Sequence, residues 1–122
     1  MKAYTTIEQS KKLIKILPIE SADMCYLSKD DRGIEFFEEP VVNDGTREND
    51  DIPCWSLATL LNYIKDKCGY FELVYLSSTI DGRANILKNV YRFSTDIYDI
   101  YQKEAIDACY EMILKLYELK LL

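Results

Sequence analysis

Residues 102–122 read QKEAIDACYEMILKLYELKLL, the most regular apolar pattern in the chain. Apolar residues recur there at steps of three and four, which places them along one side of a helix: Ala105, Ile106, Cys109, Met112, Ile113, Leu116 and Leu119. A helix over residues 102–121 would be about 30 Å long at roughly 1.5 Å per residue. It could begin after Asp96 or after Asp99, and we favour Asp99 because it forms a capping pair with Gln102. Such a helix needs a partner surface, which the rest of the chain must supply.

The rest of the chain is predicted to contain two more helices, over residues 7–17 and 53–67, and two β-hairpins. The hairpins pair residues 24–27 with residues 34–37, and residues 70–76 with residues 86–93. The element order is then α-β-β-α-β-β-α. Both hairpins could join in one antiparallel sheet of about four strands with the helices packed on one face. The sequence therefore predicts a single α+β domain over residues 1–122.

Local signals set several of these boundaries. Thr5 with Glu8, or Thr6 with Gln9, matches the capping box at the start of the first helix. Pro53 is tolerated in the first turn of the second helix. Glycine and aspartate mark three further turns or caps: Gly33, Gly69 and the pair Asp81-Gly82.

Length and composition predict a folded, cytoplasmic protein. The chain has 122 residues, of which 48% are hydrophobic, a share typical of globular domains. No signal peptide is recognisable, because residues 1–10 are polar. The longest apolar run, residues 13–19, contains Lys15 and Pro18 and is too short to span a bilayer. We therefore expect no membrane association.

The cysteines indicate buried, reduced thiols rather than a metal site. None of the four forms a CxxC pair and the chain has no histidine, whereas structural zinc sites draw on clustered cysteine and histidine. No metal site and no cofactor are predicted. The four residues are Cys25, Cys54, Cys68 and Cys109.

The negative charge is concentrated in one segment. Nine acidic and two basic residues lie between positions 30 and 51, so this segment holds a charge of −7 while the whole chain holds −6. Within it, residues 42–52 are predicted to form an acidic surface loop. Direct nucleic-acid binding is not expected, because the basic surface that phosphates require is missing.

Three interpretations of the acidic segment stay open. It could keep the protein soluble as a solvated loop. It could bind a cation through the oxygen ligands Asp44, Glu48, Asp50 and Asp51. The spacing of these residues differs from that of the ligands in an EF-hand loop. It could present a negative surface to a basic partner, even imitating nucleic acid, through Glu38, Glu39, Asp50 and Asp51.

Other polar and aromatic residues admit both a structural and a functional interpretation. Asp23 could be a site carboxylate or a turn and cap acceptor. Trp55 could belong to an interaction surface, or could anchor the second helix in the core with its indole N–H bonded. Ser56 lacks a histidine to activate it as a nucleophile, so no catalytic residue is predicted. The ten tyrosines favour core packing or an oligomer interface.

Three short blocks carry a resemblance to a known family. They are Ser-Ala-Asp-Met at residues 21–24, Pro-Cys-Trp-Ser-Leu at 53–57 followed by Leu60-Leu61, and Ala-Ile-Asp-Ala-Cys at 105–109 followed by Met112-Ile113. In this order the chain resembles small uncharacterised proteins of gut bacterial genomes and their prophage-like mobile elements. The resemblance implies an intracellular bacterial or phage-borne accessory protein, and it assigns no role to any residue. Residues 35–51 are not part of the pattern.

Three functional hypotheses follow. The first is a non-enzymatic accessory or binding protein that acts through a protein partner or through self-association, since no catalytic set is recognisable and aromatic residues are abundant. The second is an acidic mimic that inhibits a nucleic-acid-binding protein. The third is an enzyme, metal-assisted or otherwise, without a recognisable catalytic set.

Overall fold

A computed structural model describes residues 2–30, 32–43 and 50–122. The chain divides into two compact units. One comprises Tyr4–Thr59, and the other comprises Met1–Ala3 with Leu60–Leu122. The described residues form three α-helices and two three-stranded antiparallel sheets. The α+β fold class is therefore confirmed, but two sheets of three strands replace the single sheet of about four. That residues 1–122 form one domain stays a prediction.

The Tyr4–Thr59 unit contains one helix and the first sheet. Its elements are α1 (Ile7–Leu13), a short 3-10 helix (Ile19–Ser21), β1 (Met24–Tyr26), β2 (Val41–Val42) and β3 (Ile52–Cys54). The strand order is β2-β1-β3, and α1 packs against β3. The second candidate capping box is the one that forms: Thr6 Oγ1 accepts from the Gln9 N–H at 3.1 Å, and Gln9 Oε1 accepts from the Thr6 N–H at 3.0 Å. The α-helix ends at Leu13, earlier than the predicted residue 17.

The predicted pairing of residues 24–27 with residues 34–37 is wrong for most of its length. The two segments meet only at one end, where the Phe37 N–H donates to the Leu27 carbonyl at 3.0 Å and Ser28, which follows the first segment, bridges Phe36. Residues 24–26 form β1 instead, which pairs with β2 and β3. The physical reason is burial. Cys25 and Tyr26 are buried and need buried neighbours on the paired strand, which Pro53 supplies for Cys25 and Ile52 supplies for Tyr26.

The second helix starts later than predicted. Residues 53–56 do not begin it, because Pro53 belongs to β3, an edge strand of its sheet. An edge strand tolerates the missing N–H of proline. Helix α2 (Leu57–Cys68) follows Ser56, whose Oγ accepts from the Thr59 N–H at 3.2 Å. The expected cap at Gly69 is confirmed by its φ of 75°, and α2 contains the boundary between the two units in the sequence.

The unit that ends at Leu122 contains the second sheet and the last helix. Its elements are β4 (Glu72–Ile80), β5 (Ile86–Ser94), β6 (Asp99–Gln102) and α3 (Ala105–Glu118). The strand order is β4-β5-β6, so the second predicted hairpin is confirmed. Its first strand begins two residues later and ends four residues later than predicted. Helix α3 packs against β5 and β6. Every apolar residue expected on its buried side is buried except Leu119, which follows the end of the helix.

Neither predicted start of the last helix is correct. Residues 99–102 form β6 instead, in which Ile100 pairs with Phe93 and Gln102 pairs with Tyr91. Ile100 and Phe93 are both buried, and the burial of this pair accounts for a strand where the local pattern also suited a helix. The helix therefore begins at Ala105.

A buried threonine connects three segments of the Tyr4–Thr59 unit. The Thr5 N–H donates to the Trp55 carbonyl at 3.0 Å, and the Trp55 N–H donates to Thr5 Oγ1 at 3.2 Å. Thr5 Oγ1 also lies 2.8 Å from Ser10 Oγ. The Tyr26 hydroxyl donates to the Thr5 carbonyl at 2.7 Å. Thr5 is completely buried, so these bonds replace the water that its polar groups lose.

Replacing this hydroxyl tests its contribution to stability. Thr5→Val keeps the shape of the side chain but leaves the buried Trp55 N–H without its acceptor, so we expect the free energy of unfolding to fall by about 1–3 kcal/mol. Thr5→Ser keeps the hydroxyl and loses one methyl group, with an expected loss of about 1 kcal/mol. Urea unfolding followed by circular dichroism measures both. A valine variant as stable as the unsubstituted chain would contradict this role of the hydroxyl.

Candidate functional site

An apolar groove on the Tyr4–Thr59 unit is the best candidate for a binding site. Its volume is about 500 Å³, which lies within the range of cavities that hold ligands. We call it the Phe37 groove. Its lining residues are Leu27, Lys29, Phe37, Glu38, Glu39 and Val41.

A short ladder next to β1 brings the floor of the groove together. The Lys29 N–H donates to the Glu35 carbonyl at 2.7 Å, and the Phe37 N–H donates to the Leu27 carbonyl at 3.0 Å. Because neighbouring residues of an extended chain point to opposite faces, Phe36 packs on the buried cluster around Tyr26 while Phe37 faces outward. The side chains of Leu27 and Phe37 remain 37% and 51% exposed. Two large apolar groups are thus presented side by side.

The turn that closes this ladder is organised by one carboxylate. Asp30 accepts hydrogen bonds from the N–H groups of Arg32, Ile34 and Glu35, at 3.0, 3.1 and 3.2 Å. These bonds hold the pKa of the Asp30 carboxyl below its usual value, and the bond from the Ile34 N–H contributes most. Gly33 takes a φ of 66° in the same turn, which confirms its expected role there.

The rim of the groove combines both signs of charge with an excess of negative charge. Glu38 and Glu39 line it and are exposed. The Lys29 ammonium lies 5.3 Å from the centre of the Phe37 ring, within the range of a cation–π contact. The Lys29 charge is therefore engaged by the Phe37 ring, whereas Glu38 and Glu39 are exposed to solvent.

The structure separates the residues that the sequence singled out as an interaction surface. Glu38 and Glu39 line the groove, and Asp50 is exposed but does not line it. Asp51 is half-buried and accepts from the Ser28 N–H at 2.9 Å. Trp55 is only 1% exposed and donates its indole N–H to Ser21 Oγ at 2.9 Å. Trp55 as a surface residue is therefore wrong, and the alternative of a core anchor is correct.

The predicted acidic loop is only partly within the described residues. Val42 belongs to β2 and Ile52 to β3, so a loop over residues 42–52 is too long at both ends. Residues 44–49 lie outside the described part of the chain. The calcium interpretation depends on Asp44 and Glu48 and so falls there too.

Asp23 and Ser56 have structural roles. Asp23 Oδ1 accepts from the Ser56 N–H at 2.9 Å, and Ser56 in turn caps the first turn of α2 through Thr59. Asp23 therefore accepts a backbone hydrogen bond, as the turn and cap interpretation required, but the bond comes from the residue before α2 and not from its own turn. Its partner lies far away in the sequence, which the local pattern did not indicate.

The thiols are poorly suited to nucleophilic chemistry. Cys25, Cys54 and Cys109 are buried and Cys68 is half-buried, as the sequence predicted for most of them. Burial raises the pKa of the Cys109 thiol to about 12, and it raises the pKa values of the Cys54 and Cys68 thiols as well. Because the thiolate is the reactive form, we expect Cys54, Cys68 and Cys109 to react more slowly at neutral pH than an exposed cysteine. Among the residues that the structure describes, no three metal-binding side chains lie close enough to hold an ion.

Sequence reasoning missed the groove, although one signal for it was present. Phe36 and Phe37 are adjacent, and in an extended segment adjacent side chains point to opposite faces. In a segment with a single buried face, one of the two rings must then be exposed. The predicted strand over residues 34–37 therefore already implied one exposed phenylalanine ring, but no groove was predicted from it.

A change at Asp30 tests the turn through its dependence on pH. The folded-state pKa lies below the unfolded value, so the carboxylate stabilises the fold above the unfolded pKa, and this contribution is lost as pH falls through the folded pKa. We expect Asp30→Asn to be less stable than the unsubstituted chain at neutral pH, with the difference vanishing in strong acid. Urea unfolding between about pH 2 and about pH 7 measures this. Glu38→Gln is the control, and an equal pH profile in both variants would refute the prediction.

Thiol accessibility gives a second test. In the folded protein we expect Ellman's reagent to react first at Cys68, the cysteine that is half-buried rather than buried. All four thiols should react at once in denaturant. Cys68→Ser should remove the fast phase of the native reaction. A fast phase that persists in this variant would show that a buried thiol is activated.

No helix in the described part of the chain has the length and apolar character needed to cross a bilayer. Comparison with protein-family models, curated proteins and solved structures finds no match to this chain. The resemblance to bacterial and prophage-associated proteins therefore stays a prediction.

Proposed function

We propose that the protein is a non-enzymatic accessory module that binds a protein partner through the Phe37 groove. The supporting observation is that Leu27, Phe37 and Val41 line one cavity of about 500 Å³ while each stays more than a third exposed. Isolated apolar residues are common on protein surfaces, but adjacent ones in a concave site are typical of binding sites.

The lining of the groove indicates the chemistry of the partner. The floor accepts a large apolar side chain, which would displace water from Leu27 and Phe37. Glu38 and Glu39 favour a lysine or arginine next to that anchor. We therefore propose a partner segment in which an aromatic or aliphatic residue is flanked by basic residues.

The size of the groove limits the strength of this contact. A cavity of about 500 Å³ holds only a few side chains, and these would bury only a part of the roughly 1,600 Å² of total surface that a stable interface buries. The groove would therefore act as an anchor point within a larger contact, or in a weak and reversible one. Its exposed carboxylates would mainly accelerate association and discriminate against acidic partners.

The acidic-mimic hypothesis stays a prediction with narrower support. Glu38, Glu39 and Asp50 are exposed, as a mimic requires. Asp51 already accepts a backbone hydrogen bond from Ser28, so it is less available to a partner. A mimic would lose its effect when the exposed acids are neutralised, even with the apolar floor intact.

Selection from a random peptide library, followed by calorimetry, tests the binding function. We expect the selected peptides to contain a large apolar residue next to lysine or arginine. Phe37→Ser should weaken their binding by about 2 kcal/mol, because a central aromatic anchor is lost. The double variant Glu38→Gln/Glu39→Gln should reduce the salt dependence of association.

Ile86→Ser is the matched control, since Ile86 is 69% exposed on the other unit and does not line the groove. Its peptide binding should equal that of the unsubstituted chain, and circular dichroism should show that all variants fold. If the selected peptides bind the Phe37→Ser variant unchanged, the groove is not the site. If only the charge variant loses binding, the acidic-mimic hypothesis is favoured instead.

A further inference from the structure

One edge of the second sheet is formed by a long strand. Strand β4 has nine residues, Glu72–Ile80, and among the described residues it pairs only with β5. Its other side carries backbone N–H and C=O groups that such an edge offers to another strand. Side chains along it, including Tyr75, Ser77, Ser78 and Ile80, are exposed.

The other edges of the two sheets carry the features that protect natural sheets from pairing. Strand β2 has two residues and directly follows Pro40. Strand β3 contains Pro53, and β6 has four residues beginning with the exposed Asp99. Short length, proline and charge all disfavour the addition of another strand.

The far half of β5 is protected in the same way. Strand β6 pairs with β5 only at residues 91–94, so the side of β5 away from β4 is open from Ile86 to Val90 among the described residues. This stretch contains Lys88, and Asn89 takes a φ of 55°. A charged side chain and a left-handed residue both disturb strand addition.

Strand β4 has none of these features. It contains no lysine, arginine or proline, and its only charged residue is Glu72 at its first position. That carboxylate is already paired across the sheet, because Arg92 Nη2 lies 2.8 Å from Glu72 Oε1. An edge of this length without protection is expected to pair, and its neutrality makes a second identical edge an acceptable partner.

We propose that β4 is a self-association edge, at which two copies of the chain pair antiparallel about a twofold axis near Leu76. The sequence of the strand is compatible with this register. Tyr75 lies opposite Ser77 of the second copy, so a large side chain meets a small one. Glu72 lies opposite Ile80 of the second copy, so no like charges meet. The β4-β5-β6 sheets of the two copies then form one continuous six-stranded sheet, and every contact away from the axis occurs twice.

Sedimentation analysis of the full chain across a wide concentration range tests the proposal. The unsubstituted protein should form a dimer whose dissociation is concentration-dependent. Ser77→Lys should raise the dimer dissociation constant by about tenfold, because each lysine acts twice across a twofold interface. Hydrogen exchange at the β4 amides should slow as the protein concentration rises.

Matched controls keep the result interpretable. Asn62→Lys adds the same charge at an exposed position of α2 and should leave the dimer unchanged, as should Phe37→Ser in the groove. Circular dichroism and thermal unfolding check that each variant folds, and Ser78→Glu provides a second edge variant whose charge lies opposite Lys88 of β5 within the same chain. A protein that stays monomeric at all concentrations would overturn the proposal. A dimer that resists both edge variants, or that only Phe37→Ser disrupts, would also overturn it.

Discussion

Burial of the Thr5 hydroxyl is the constraint on which the Tyr4–Thr59 unit depends. A hydroxyl removed from water costs free energy unless it finds partners, and its partners lie at Ser10 and Trp55. These bonds hold the start of α1 against the end of β3, which is reinforced by the bridge between Tyr4 and Ser56. Trp55 then donates its indole N–H to Ser21. The N–H of the adjacent Ser56 donates to Asp23, and the Ser56 hydroxyl caps α2. A single buried side chain thus fixes the end of one strand and the beginning of the next helix.

Features that depend on neighbours in the sequence were predictable. The Thr6–Gln9 capping box, the left-handed Gly69 and the hairpin of β4 and β5 each need only a few adjacent residues. The apolar side of α3 was predictable for the same reason, since its three-to-four spacing is a property of the helix itself.

Features that depend on distant residues were not predictable. Nothing local to Met24–Tyr26 shows that its partners are Val41–Val42 and Ile52–Cys54 instead of the nearer residues 34–37. Pro53 suits either the first turn of a helix or an edge strand, and only the position of β3 in the sheet decides between them. Likewise Trp55 suits either a surface or a core, and in the fold it is buried with its indole N–H bonded to the Ser21 hydroxyl. Of the acidic residues proposed as a surface, the two that line the groove are those adjacent to its aromatic floor.

The repeated phenylalanine beneath the groove has a consequence for how the site is specified. If the ladder shifted by one residue, Phe36 would take the outward position of Phe37, and an identical ring would occupy the groove. Side-chain chemistry at these two positions therefore cannot distinguish the two registers. The two registers differ in the number of residues in the turn, and the three N–H bonds to Asp30 fix that number. Which of the two rings is exposed in the groove thus depends on the Asp30 carboxylate, which does not line the groove.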